Sequence, residues 1–226
     1  MEISLTEENY VKAIFAIQST NEGEGVSTNE LSRQLNNKAA SVTDMLKKLS
    51  DKKLIQYQKY HGVSLTSKGE KMALEVIRKH RLWEVFLTEK LNFKWDEVHD
   101  IAEQLEHIKS PELIERLDTF LGCPKVDPHG DPIPNSKGLL MPSKSKTLSR
   151  FKTKGQYIFT GVTEHSKTFL QYLSSIGLKI GDLIQVQDIN LFDQTMQVKI
   201  NKNKSAFFSD KISSNILVEL KKWISL

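Results

Sequence analysis

Between residues 27 and 65 the spacing of apolar residues changes once, from the helical period of 3.6 to the strand period of two, which limits the folds open to this part of the chain. Ser27-Thr-Asn-Glu30 fits a capping box, with Ser27 capping and Glu30 reaching back, and opens a short helix "TNELSRQLN" whose apolar positions are Leu31 and Leu35. A tight turn at Asn36-Asn37 follows. The next helix, "KAASVTDMLKKLSDKK", places Val42, Met45, Leu46 and Leu49 inward and leaves Lys38, Ser41, Thr43, Asp44, Lys47 and Lys48 more exposed. "LIQYQKYHGVSLTSKG" then alternates in two short runs around Gly62, which suits a hairpin with Lys59, Tyr60 and His61 near its tip. Ahead of all this, residues 5–19 predict a helix from Tyr10, Val11, Ile14, Phe15 and Ile17, with Thr6 as its N-cap. A short helix, a tight turn, a helix with a polar first turn and a hairpin together match a winged helix-turn-helix; a small helical bundle with a chance hairpin is the alternative.

Ser67 or Thr66 can cap a long helix reaching about Lys90. "WDEVHDIAEQLEHI" and, after Ser110-Pro111, "ELIERLDTFLG" predict two shorter helices. Residues 123–150 hold five of the six prolines and read mostly as loop or linker. Beyond them "YIFTGV", "LIQVQDI" and "MQVKI" predict strands, and "SKTFLQYLSSIGLKIGD" a short helix with a Gly-punctuated turn, so a small β-rich domain closes the chain. The fold class expected is mainly α with small β elements.

Charge is unevenly spread. Lys+Arg against Asp+Glu is 9 to 9 over residues 1–70, 8 to 11 over 71–122 and 15 to 8 over 123–226. Residues 38–59 carry Lys38, Lys47, Lys48, Lys52, Lys53 and Lys59 against only Asp44 and Asp51, a local excess suited to phosphates. The single cysteine, Cys123, excludes an internal disulfide framework and a Cys-rich zinc site. "MEISLTEENY" lacks the basic and apolar regions of a secretion signal, and no apolar run approaches the ~18 residues of a membrane span, so a cytoplasmic location and no membrane partner are expected.

"HDIAEQLEH" raises the question of chemistry. On a helix, His99, Glu103, Glu106 and His107 would fall within about 100° of arc. Four of the six histidines, His80, His99, His107 and His129, lie in the carboxylate-rich stretch from residue 80 to 129. Ordinary i,i+4 pairs such as His80/Glu84 and His99/Glu103 explain any one of these. For the set, two like charges beside imidazoles favour solvation or a bridging cation. Carboxylates and imidazoles without thiolate suit Mn²⁺ or Fe²⁺. Asp127-Pro-His129-Gly130 adds two candidate ligands, although such a fragment is more often only a turn.

The segments "EENYVKAIFAI", "AASVTDMLKKL", "GVSLTSKGEKMA", "IRKHRLWEVFL", "VHDIAEQLEHI", "RLDTFLG" and "DPHGDPIP", in that order, resemble the diphtheria-toxin-repressor and manganese-transport-regulator family of metal-dependent repressors. The resemblance implies a winged helix-turn-helix domain over 1–70, a helical dimerisation and metal-binding domain with the start of a linker over 71–142, and linker plus an SH3-like domain over 143–226. It implies one metal site from Glu103, Glu106 and His107, with Asn9 and His80 completing the shell. Glu103 stands where iron-type members have cysteine and manganese-type members glutamate, which leans towards Mn²⁺ over Fe²⁺. Asn9 stands where aspartate or methionine is usual, making one ligand neutral. A second site would use Glu84 either with His80, His99 and a third-domain carboxylate or with Asp127 and His129. Glu164 best matches that carboxylate, with His165 adjacent.

The expectation is a homodimeric, non-enzymatic repressor that binds a double-stranded DNA operator, uses Mn²⁺ (alternatively Fe²⁺) as corepressor, controls metal-uptake genes and has no small-molecule substrate. Lys38, Ser41, Thr43, Lys47 and Lys59 would face the DNA. The rivals are a winged-helix protein with a structural or vestigial metal site and a metalloenzyme, which lacks any visible nucleophile or phosphate loop.

Overall fold

The computed structural model describes residues 3–21, 25–58, 62–201 and 203–221. Lys59, Tyr60 and His61 lie outside the described residues. The chain forms two compact units: Met1–Trp83, Ala102–Thr119 and Pro134–Leu140, then Glu84–Ile101, Phe120–Ile133 and Met141–Leu226.

In the first unit, α1 (Leu5–Thr20), α2 (Thr28–Gln34) and α3 (Ala39–Asp51) pack Val11, Ile14, Leu31, Val42 and Leu49 into one core with Val63 of the hairpin. The cap of α1 is Ser4, not Thr6. Glu7 stands three residues after Ser4 and closes a reciprocal box, Ser4 N–H donating to Glu7 Oε2 at 2.8 Å and Glu7 N–H to Ser4 Oγ at 3.3 Å. Asn9, three residues after Thr6, is not the Glu or Gln that completes such a box. The Ser27/Glu30 box forms as expected, with Ser27 N–H donating to Glu30 Oε2 at 2.8 Å. Asn36 takes φ 49°, a left-handed conformation that Asn tolerates, and so turns the chain from α2 into α3.

The hairpin pairs β1 (Ile55–Gln58) with β2 (Gly62–Leu65), and Val26 bridges to Val63 on its other side. Gly62, at φ +88°, permits that approach: a Cβ there would stand 2.2 Å from Val26 O. Of the two candidate caps for α4 (Ser67–Leu91), Thr66 is used, its Oγ1 accepting from Gly69 N–H at 3.2 Å.

The helix expected over "WDEVHDIAEQLEHI" is much shorter. α5 covers only His99–Leu105; residues 95–98 form turns, with Lys94 N–H donating to Glu97 Oε2 at 3.0 Å and the Trp95 indole to Ser174 Oγ at 2.8 Å. These bonds hold the segment outside the helical ladder. α6 (Pro111–Phe120) starts at the expected Ser110-Pro111.

The second unit carries β3 (Lys146–Thr147), β4 (Gly155–Val162), α7 (Lys167–Ser175), β5 (Leu183–Ile189), β6 (Met196–Ile200), β7 (Lys204–Phe208), α8 (Asp210–Ser213) and β8 (Ile216–Leu220). The strands form one antiparallel sheet in the order β3-β8-β4-β5-β6-β7 around Tyr157, Phe159, Leu173, Ile184, Val198 and Val218. The three expected strands are β4, β5 and β6. No helix among the described residues is long and apolar enough to cross a membrane.

The proline-rich segment is anchored on this sheet. Asp127 Oδ1 accepts from His129 N–H at 2.8 Å and Asp131 N–H at 3.0 Å, and Val162 N–H donates to His129 O at 2.9 Å. Gly130, at φ +92°, lies so close to β4 that a Cβ would stand 2.1 Å from Thr160 O. Gly130→Ala is therefore expected to destabilise the protein by about 2 kcal/mol or more in denaturant unfolding, through strain and overpacking together. Gly138→Ala, which meets nothing within 4 Å at φ +72°, should cost no more than about 1 kcal/mol, the backbone strain alone.

Candidate metal centres

The first unit places a fully buried carboxylate, Glu106, beside α1. Glu106 and His107 are not on the α5 stripe: they fall in the turn after Leu105, although Glu106 N–H still closes a last helical bond to Ala102 O at 2.8 Å. Lys12 Nζ donates to Glu106 Oε1 at 2.7 Å and Oε2 at 2.9 Å, and lies 3.5 Å from Glu103 Oε1. His80 Nδ1 is 2.6 Å from Glu106 Oε2. His107 Nδ1 is 2.6 Å from Glu8 Oε2, which leaves its Nε2 3.8 Å from Glu106 Oε1. A carboxylate on one imidazole nitrogen orients the other as a donor towards the site.

Burial alone would push the Glu106 carboxyl up, but the His80 hydrogen bond and the Lys12 charge outweigh it and hold the group below the ordinary carboxylate range. Asn9 Oδ1 is buried and accepts no hydrogen bond among the described residues. Such an orphan acceptor costs ~1–3 kcal/mol, and a cation would satisfy it. Oxygen and imidazole donors with no thiol fit a hard or borderline divalent ion.

Glu8 and Lys12 were not singled out from the sequence. Four residues apart on α1, they resemble an exposed helix pair, and nothing local in the sequence separates them from one.

The second unit gathers Glu84, Asp127 and His129, all buried, with one ligand atom of each within 4.8 Å of the others. His129 Nε2 is 2.8 Å from Trp95 O, and because a carbonyl only accepts, Nε2 carries the proton. Its Nδ1 then faces Glu84 Oε2 at 3.6 Å, so a lone pair opposes a carboxylate unless a proton or metal lies between. Burial lowers the His129 pKa, yet Glu84 and Asp127 outweigh it and raise the value above normal. Glu84 Oε1 also lies 3.6 Å from His99 Nδ1. Glu164 is exposed, and its Oε1 accepts from Ser166 N–H at 2.8 Å. The adjacent His165 ring lies 5.0 Å from that of His129, centroid to centroid.

Lys38, Ser41, Thr43 and Lys47 are all exposed on or beside α3, as expected. Thr43 Oγ1 donates to Ala39 O at 2.9 Å, and Lys47 Nζ lies 3.6 Å from Asp44.

Residues 2–63 match the family described as iron dependent repressor, N-terminal DNA binding domain, residues 66–135 its metal binding and dimerisation domain, and residues 146–220 the FeoA domain. A solved structure described as a manganese-dependent transcriptional repressor in complex with manganese is 30% identical, covers 95% of this chain and 100% of its own, and has a TM-score of 0.87. The chain belongs to the iron-dependent repressor family. The manganese regulator SloR is 33% identical with a TM-score of 0.78, the match covering 95% of this chain and 98% of that one. An HTH-type transcriptional regulator of Methanocaldococcus jannaschii is 35% identical over 50% of this chain and 90% of that protein. The iron-dependent repressor IdeR of Mycobacterium leprae is 31% identical over 57% of this chain and 55% of its own length, so the match spans about half of that relative. The FeoA match identifies the β-rich end as the SH3-like domain of the family.

Within this repressor fold the Lys12–Glu106 pair is testable without metal. Lys12→Met should lower the stability of the metal-free protein by about 2 kcal/mol at pH 7, less than the ~3–5 for a fully buried pair because Lys12 is partly exposed. Glu106 has a depressed pKa in the folded state, so its contribution is present above the unfolded carboxylate value of ~4.3 and is lost as pH falls through the folded one. The difference between Lys12→Met and wild type in urea unfolding should therefore shrink on acidification.

Proposed function

We propose that the chain is a homodimeric, metal-dependent repressor of the cytoplasm that binds double-stranded operator DNA and controls metal-uptake genes in response to Mn²⁺, or alternatively Fe²⁺. Its layout would be a winged-helix head over 1–70, a dimerisation and metal-binding part over 71–142, and linker with SH3-like domain over 143–226. The observation that carries this reading is Glu106, a buried carboxylate bound to Lys12 of α1. It ties the helix that packs against α2 and α3 to the segment after α5.

The first centre would use Glu103, Glu106, His107, Asn9 and His80, and the second Glu84, Asp127 and His129 with a donor from the last domain. A bound Mn²⁺ or Fe²⁺ would supply divalent positive charge between carboxylates of separate segments. Glu8 orients His107, His80 shares Glu106, and together these residues limit the freedom of α1. Restricting α1 would restrict α3, so two heads of a dimer would present their recognition helices about one DNA turn apart, ~34–36 Å. Ser41 and Thr43 would reach bases or phosphates, while Lys38, Lys47 and Lys59 would contact phosphates and set affinity. The protein acts by binding rather than catalysis, without a small-molecule substrate.

The second reading, a winged-helix protein whose metal site is vestigial, draws on the same ion pair, because the Lys12 ammonium already meets Glu106. Fluorescence anisotropy with duplexes selected from a random pool separates the two. At fixed salt, Mn²⁺ should tighten binding about tenfold or more, a coupling of ~1.4 kcal/mol, and Glu106→Gln should abolish the effect. Equal binding in EDTA and Mn²⁺ would favour the vestigial site. Lys38→Gln and Lys47→Gln should each reduce the slope of log K against log salt by about 1 without changing sequence preference.

A further inference from the structure

We propose that His165, and not Glu164, is the donor contributed by the SH3-like domain to the Glu84–Asp127–His129 centre, giving it two imidazoles and two carboxylates. The proposal rests on the metal-binding reading above.

Glu164 is engaged elsewhere. Its carboxylate accepts from Ser166 N–H at 2.8 Å and sits in solvent at the entry to α7, so recruiting it would release that N–H. His165 lies beside the centre. Its ring lies 5.0 Å from the His129 ring, tilted by 54° rather than stacked. Its Nε2 is buried with no hydrogen-bond partner among the described residues, and the nearest acid is Asp131 Oδ2 at 3.5 Å. A buried imidazole nitrogen left unsatisfied costs ~1–3 kcal/mol, which a metal bond would remove. Asp131 Oδ2 approaches that same Nε2 without bonding it, and the Asp131 N–H donates to Asp127 Oδ1 at 3.0 Å, so one short loop fixes Asp127 and His129 and runs beside His165.

The change of donor alters selectivity. A set of three carboxylates and one imidazole favours hard Mn²⁺, whereas two carboxylates and two imidazoles move the preference along the Irving–Williams order towards Fe²⁺ and Co²⁺.

The test uses the full chain carrying Glu106→Gln, which removes the first centre, titrated with Co²⁺ by visible absorption and with Mn²⁺ by electron paramagnetic resonance. In that background His165→Ala should weaken Co²⁺ binding by about tenfold to a hundredfold and change the Co²⁺ ligand-field bands, while Glu164→Gln leaves both within about twofold. His165→Asp should restore binding with the Co²⁺/Mn²⁺ preference lowered relative to the parent, and unchanged unfolding curves of the metal-free variants would show that the fold persists. Loss of Co²⁺ affinity in Glu164→Gln, or an unaltered spectrum in His165→Ala, overturns the assignment. If Glu84→Gln titrates like the parent, the metal-binding reading of this centre fails as well, which separates the two.

Discussion

A carboxylate with no exposed surface has to be compensated, and in this protein that carboxylate is Glu106. Lys12 and His80 compensate it, one from α1 and one from α4, and the net result is an acid that stays ionised despite its burial. That pairing gives α1 a polar anchor in addition to the apolar contacts of Val11 and Ile14 with the head. The ion pair adds a directional constraint to the non-directional apolar burial.

The second centre solves the same problem differently. Glu84 and Asp127 are buried, and the cation-forming group that faces Glu84 here is the His129 imidazole. Trp95 O fixes the His129 tautomer, and Asp127 is fixed by the N–H groups of its own loop. Two of the three donors, Asp127 and His129, are therefore oriented by backbone atoms, while Glu84 faces His129 Nδ1. Gly130 makes this possible, since only a residue without a side chain lets the loop reach the Thr160 carbonyl.

Much of the head was legible in the sequence, because each of its elements is specified locally. The Ser27/Glu30 box, the apolar positions Val42, Leu46 and Leu49 and the Gly62 turn all depend on neighbours within a few residues. What was not legible depends on distant partners. Trp95–Val98 leaves the helical ladder with the aid of a bond to Ser174, 79 residues away. The strands "KSAFF" and "ILVEL" exist because β6 and β4 pair with them, and neither alternates cleanly enough to stand out alone. Lys12 passed for a surface lysine because its partner Glu106 is 94 residues away.

"HDIAEQLEH" shows why the metal-site residues were partly legible. Helical spacing placed them on one helix face, and α5 ends at Leu105. Glu106, still bonded back to Ala102, points into the protein, and His107, in the turn beyond, reaches Glu8. His99, at the opposite end of the same short helix, belongs to the second unit, as does Glu84, whose Oε1 lies 3.6 Å from its Nδ1. A stripe of four donors is thus divided by seven residues of helix into two sets, and α4 repeats the division four residues apart, with His80 bound to Glu106 and Glu84 facing His129. Helical spacing identifies which residues can be ligands; where the helix ends decides which of them stand together.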